Sequence, residues 1–166
     1  NTVPTKTGYT FLGWSTDSNA TTATYVEGAT YTENETATLY AVWKVKTVKV
    51  TFMRNINSSD TTSNVQTFTY GVTGQKFSDK GWTRTGYTLL GWSTDKNATS
   101  KTFELTSSVD NSFINARSPA ITLYAVWQVK TVKVTFMRNI NSSDTTSNVQ
   151  TFTYGVTGQK FSDKGW

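Results

Sequence analysis

From Val48 the chain alternates, with Val48, Val50 and Phe52 on one side of a strand and Lys49, Thr51 and Met53 on the other. Period two of this kind marks a strand buried on one face. Residues 65–72 (VQTFTYGV) alternate again, Phe68 and Tyr70 inward, Thr67 and Thr69 outward. The polar run between them, residues 55–64 (NINSSDTTSN), predicts a long loop, so the two strands form a wide-looped hairpin. Residues 8–14 (GYTFLGW) make a short apolar and aromatic run bounded by glycine. They predict a buried strand with a point near Gly13 where a side chain would not fit. Residues 39–43 (LYAVW) are nearly all apolar, as expected of a central strand covered on both faces.

Between these runs lies turn chemistry, in residues 15–22 (STDSNATT) and 95–100. Residues 25–31 read as a short strand or hairpin arm with Gly28 in its turn, and residues 102–114 are their longer counterpart. Residues 73–84, carrying Gly74, Phe77, Gly81 and Trp82, predict an irregular or short helical connection.

The pattern repeats. Residues 45–82 recur letter for letter as residues 129–166, 84 residues further on. Residues 8–17 (GYTFLGWSTD) return as 86–95 (GYTLLGWSTD), and LYAVW returns at 123–127. The chain therefore divides into the C-terminal half of one module (1–44), a complete module (45–128) and the N-terminal half of the next (129–166). The second copy is six residues longer between its GYT and its last Trp, and the surplus falls around residues 110–119. That stretch is expected to be a loop tolerant of insertion. No Gly/Ser linker separates the modules, so their junctions are expected to be short and stiff.

Composition narrows the chemistry. Cysteine and histidine are both absent, which removes disulfides, thiolate nucleophiles, the commonest general base and the commonest metal ligand. The net charge of +5 is spread along the chain, as on a solvated surface and not a nucleic-acid patch. No apolar run reaches the length of a membrane span, and no signal peptide is present. Abundant Thr and Ser with two prolines predict a mostly β chain with little helix.

The GYTFLGWSTD and TLYAVW blocks, with the VTF and Tyr70-Gly71 before them, resemble the Listeria–Bacteroides repeat family. The resemblance implies a β-grasp-like α+β module with a small mixed four-stranded sheet, its first and fourth strands parallel at the centre. It also implies tandem use on bacterial cell-surface and extracellular proteins. The family's glycine-rich stretch after the first strand is replaced here by residues 55–64. Its proline before GYT survives at Pro4 and is lost from residues 78–85.

No catalytic, cofactor-binding or metal-binding set emerges. Residues 93–96 (STDK) spell S-x-x-K, yet they lie in turn chemistry, and their counterpart at 15–18 lacks the lysine. Asp60 and Asn64 are too few for a calcium loop. The expected core comprises Val50, Phe52, Phe68, Tyr70, Tyr87, Leu90, Trp92, Leu123, Ala125 and Trp127, since a small module needs large side chains to bury enough area. Trp82 and Trp166, beside glycines in connecting segments, are the candidate exposed rings for a contact. Sequons at Asn19, Asn34, Asn57, Asn97 and Asn141 matter only in a glycosylating host. A Lys–Asn isopeptide crosslink would suit a cysteine-free stalk, but sequence does not place its partners.

These features predict a non-enzymatic spacer, stalk or fibre-forming unit, since identical copies favour length over diversified binding. The alternative is an adhesin array holding glycan or a host surface protein weakly, with avidity supplying strength. Each terminal half would expose strand edges and apolar face, and the halves are complementary. Head-to-tail self-association is therefore expected, into filaments or rings.

Overall fold

The computed structural model describes residues 3–166, which form three sheets in series. The first pairs β1 (Tyr9–Ser15) with β2 (Tyr40–Val45), antiparallel. The second holds β3 (Thr47–Met53), β4 (Ser63–Thr69), β5 (Tyr87–Ser93) and β6 (Ala120–Val129), with the helix α1 (Asn111–Arg117) leading into β6. The third pairs β7 (Thr131–Met137) with β8 (Ser147–Thr153), again antiparallel. The chain is mostly β, with 38% of it in strands and 4% in helix.

The four-stranded sheet runs β4-β3-β6-β5. Its two central strands, β3 and β6, are parallel, from Lys49 opposite Ala120 to Met53 opposite Tyr124. The outer pairs are antiparallel. This mixed sheet is compatible with the β-grasp-like arrangement that the resemblance implies.

Alternation explains which face is buried. Val48, Val50 and Phe52 of β3, Phe68 of β4, Trp92 of β5, and Leu123 and Ala125 of β6 meet in one cluster. Phe77, Val109, Phe113 and Ile114 close it from above the sheet. Phe77 is the hub: its ring lies 5.1 Å from Phe52, 5.8 Å from Phe68, 6.0 Å from Phe103 and 5.8 Å from Phe113. Tyr70 and Trp127 are half-buried and pack against this cluster.

Two expected core residues lie outside it. Register slips between Leu89 and Gly91 against β6, so Leu90 is the extra residue of a bulge and Leu89 packs on the core instead. Tyr87 is half-buried at the start of β5, with the Arg84 guanidinium 3.6 Å above its ring.

The glycine that ends each LG pair answers to a close approach. A Cβ at Gly91 would stand 2.3 Å from the Phe103 carbonyl oxygen, and one at Gly13 would stand 2.3 Å from that of Tyr25. In both places a short segment bridges back to the following tryptophan. Trp92 donates to Phe103 O at 2.8 Å, and Trp14 donates to Tyr25 O at 2.7 Å.

Residues 110–119 are not the insertion-tolerant loop that their length difference suggested. Most of the surplus forms α1. Asp110 caps it by accepting from the Phe113 amide at 2.8 Å, and Phe113 and Ile114 are buried. The Ser118 hydroxyl then donates to the Thr47 carbonyl at 2.8 Å, tying the helix end to β3. A helix of about two turns with two buried apolar positions leaves too little periodicity to read from sequence.

Candidate functional site

The polar side chains that resembled chemistry are spent on structure. Ser93 is buried, and its hydroxyl accepts from the Asp95 amide at 3.1 Å, as Ser15 does from Asp17. Lys96 points elsewhere, donating to the Ser58 carbonyl at 3.4 Å, so S-x-x-K assembles no nucleophile and base. Asp60 organises the polar loop between β3 and β4. It takes both Arg54 nitrogens, at 3.0 and 3.1 Å, and the amides of Ile56 and Thr62, each at 3.1 Å. The hydrogen-bonded Arg54 guanidinium, helped by those amides, holds the Asp60 carboxyl far below the usual carboxylate range. Arg138 and Asp144 repeat the arrangement. Among the described residues no three potential ligands gather as a metal site.

Lys80 is likewise structural. Its ammonium sits 4.0 Å above the Phe52 ring and donates to Gln66 at 3.1 Å and Ser78 at 2.7 Å. Partial burial pushes its pKa down.

The junctions between sheets are built the same way twice. β2 passes into β3 through the single residue Lys46, and β6 into β7 through Lys130. The Lys46 amide donates to the Gly8 carbonyl at 2.8 Å, while its own carbonyl accepts from the Tyr70 amide at 3.0 Å. Lys130 repeats both bonds, with Gly86 at 2.8 Å and Tyr154 at 3.0 Å. The Tyr70 ring covers Gly8 so closely that a Cβ there would stand 2.1 Å from it, and Tyr154 covers Gly86 likewise at 1.9 Å. Both glycines also have positive φ, 79° and 77°, which side chains resist. One lysine thus joins the preceding sheet to the following one through its backbone, and a tyrosine ring fills the space that a glycine leaves.

Beside the second junction lies an aromatic cleft of about 370 Å³, lined by Trp82, Arg84, Tyr87, Leu89, Trp127 and Lys130 among others. Trp82 is not free in solvent: it is half-buried, edge-on to Trp92 with centroids 5.8 Å apart. The Trp127 indole donates to the Arg54 carbonyl at 2.8 Å, which takes its polar edge out of play. Trp166, the repeat of Trp82, is exposed. A second cleft, between residues 71–76 and 108–111, has no aromatic lining, and its Gln75 amide is spent on Thr69.

Sequence reading missed Val48, Phe77, Val109, Phe113 and Ile114 as core, and the Lys80 contact altogether. Val48 was visible in the alternation; the others sit in irregular or short segments without a period.

A four-stranded mixed sheet linked through one-residue junctions to further copies of its own halves defines a tandem β-repeat protein. The chain belongs to the Listeria-Bacteroides repeat domain family, which it matches over residues 1–42 and 49–126. It is also 30% identical over 131 residues to a protein of Evansella cellulosilytica described as "Putative membrane protein". That match covers 79% of this chain and 19% of the relative, so the chain spans about a fifth of the relative's length. No solved structure matches the chain.

Proposed function

We propose that the chain is a run of spacer repeats from a bacterial surface protein, each module holding the next at a set angle and none performing catalysis. A surface location fits the family and the relative's description as a membrane protein, and the polar groups of the S-x-x-K and Asp60 segments are already hydrogen-bonded within the fold. One observation carries the reading: both junctions use the same lysine backbone bridge and the same tyrosine-over-glycine contact. A flexible tether needs neither. A construction repeated at each boundary limits the relative motion of neighbours, which is what a stalk requires.

Small-angle scattering tests this. The 166-residue chain should scatter as a single rigid form, and Gly86→Val, which forces a side chain into Tyr154, should add interdomain flexibility while the middle sheet stays folded. Flexible-chain scattering from the unaltered protein would remove the spacer reading.

The aromatic cleft beside Lys130 favours a second reading, a weak glycan contact on each repeat, because indole and phenol rings supply flat apolar faces to sugar. A glycan array followed by titration of Trp82→Ala decides it. Saturable binding lost in that variant supports an adhesin, and a silent array leaves the spacer.

A further inference from the structure

The aromatic cleft beside Lys130 is built from one turn and one strand pair. The Tyr87 amide donates to the Arg84 carbonyl at 3.0 Å, closing the turn that leads into β5, and the Lys130 amide donates to the Gly86 carbonyl at 2.8 Å. Leu89 stands opposite Trp127 across β5 and β6, and Tyr87 lies two residues before Leu89, so the three share a face. Trp82 reaches the same cleft from the connection before the turn. All four side chains are half-buried, which leaves an apolar floor in contact with water.

The same frame occurs at the first junction, where a complete module follows. The Tyr9 amide donates to the Lys6 carbonyl at 3.0 Å, and the Lys46 amide donates to the Gly8 carbonyl at 2.8 Å. The Lys6 ammonium lies 4.1 Å over the Tyr9 ring, as the Arg84 guanidinium lies 3.6 Å over that of Tyr87. Lys6 is exposed, and Tyr9 and Lys46 are half-buried, so a whole module next door leaves this position open to solvent. Pro4 stands there in the place of Trp82, which makes the middle cleft the one with the fuller aromatic floor.

The polar groups around the floor are of one kind. The lining holds Arg84, Lys130 and threonines, with no carboxylate and no carboxamide. Among the described residues neither cation is paired with an acid. Arginine and lysine donate and never accept, and the carbonyls of Arg84 and Gly86 are already occupied by the turn and the junction. The hydroxyls of a neutral sugar need acceptors as well as donors, and this lining is poor in them. A carboxylate or sulfate only accepts, and fits. The guanidinium held over Tyr87 has little freedom left to lose, and its flat fork matches a carboxylate at two points.

We infer that this cleft binds an acidic polysaccharide, one sugar per cleft. The apolar face of the ring lies on Trp82, Leu89 and Trp127, its carboxylate or sulfate meets the Arg84 guanidinium, and Lys130 closes the rim. The inference rests on the glycan reading above and adds the charge of the sugar. It is compatible with a stiff array, because clefts recurring at successive junctions suit a polymer whose charge also recurs.

Calorimetric titration of the 166-residue chain tests it, with oligogalacturonate, a heparin oligosaccharide and a neutral malto-oligosaccharide of matched length, at low and at physiological salt. Saturable binding of an acidic oligosaccharide is expected, weakening as salt rises, with the neutral one far behind. Arg84→Gln should weaken that binding roughly tenfold. Lys49→Gln removes the same charge from an exposed position on β3 and should change it by less than about twofold. Arg84→Lys, which copies Lys6 over Tyr9, should recover part of the loss, and it carries the test if Arg84→Gln disturbs hydrogen exchange in β5. A neutral oligosaccharide bound as tightly as the acidic ones would overturn the inference and keep the glycan reading. No binding of any oligosaccharide would remove both. Equal losses from Arg84→Gln and Lys49→Gln, or equal binding of duplex DNA, would assign the attraction to general positive charge and overturn the inference too.

Discussion

Because one sequence occupies two environments, a single substitution can be its own control. Phe77→Ala removes a fully buried ring that contacts four other rings, within an otherwise irregular segment. Truncating a buried phenylalanine costs about 3–5 kcal/mol. A unit of this size has a total stability of order 5–10 kcal/mol, so about half would be lost. Phe161→Ala makes the same change in the same local sequence, but that ring is 70% exposed and keeps two aromatic neighbours. Its cost should stay below about 1 kcal/mol, within the range of surface substitutions. Hydrogen exchange on peptides from β3 and β6 reads the middle sheet separately from its neighbours, which a global melt does not. Phe77→Ala should lower protection throughout β3 and β6, and Phe161→Ala should leave it intact. Equal effects, or a loss below about 1 kcal/mol for Phe77→Ala, would refute the assignment of Phe77 as the hub of the core.

Other predictions follow from single contacts. Gly91→Ala should cost about 1–3 kcal/mol by urea denaturation, since φ is +154° and the new Cβ meets the Phe103 carbonyl; Gly81→Ala, with φ +62° and open space, should cost the lower end of that range. Lys80→Ala should destabilise the middle sheet by about 0.5–2 kcal/mol through loss of the ammonium over Phe52, read by the same exchange measurement. Asp60 has a folded pKa depressed by Arg54, so its stabilisation is complete above its unfolded pKa of about 4 and is lost as pH falls below that. Asp60→Asn should therefore lower the melting temperature by several degrees at pH 7 and by progressively less as the pH is taken from 4 towards 2. A difference that does not shrink with acid would assign the effect to packing.

Much of the fold was legible because the information was local. Period-two runs located β3 and β4, turn-forming residues bounded them, and the GYT and LYAVW blocks located the strand pairs that lie beside each other in the sheet. Gly13 was readable as a place without room for a side chain, though not what fills the space. The parallel pairing of β3 with β6 came from resemblance, not from any pattern in the residues. Phe77 was invisible because an irregular segment has no period to read, and α1 because seven residues are too few to show one. Leu90 was misplaced because a bulge shifts the alternation by one residue, and alternation alone carries no sign of that. The glycine beside Trp82 suggests an exposed ring, whereas its partial burial depends on Trp92, ten residues further on in β5.

Residues 45–82 and 129–166 separate what sequence decides from what it leaves to tertiary structure. By itself the sequence determined the hairpin, its register, the Arg–Asp loop and the lysine over phenylalanine, since these form identically in both copies from contacts within 38 residues. Tertiary structure decided whether Val48 or Val132, and Phe77 or Phe161, left water. Burial is a property of the covering strand, and that strand lies beyond the segment whose side chains it covers.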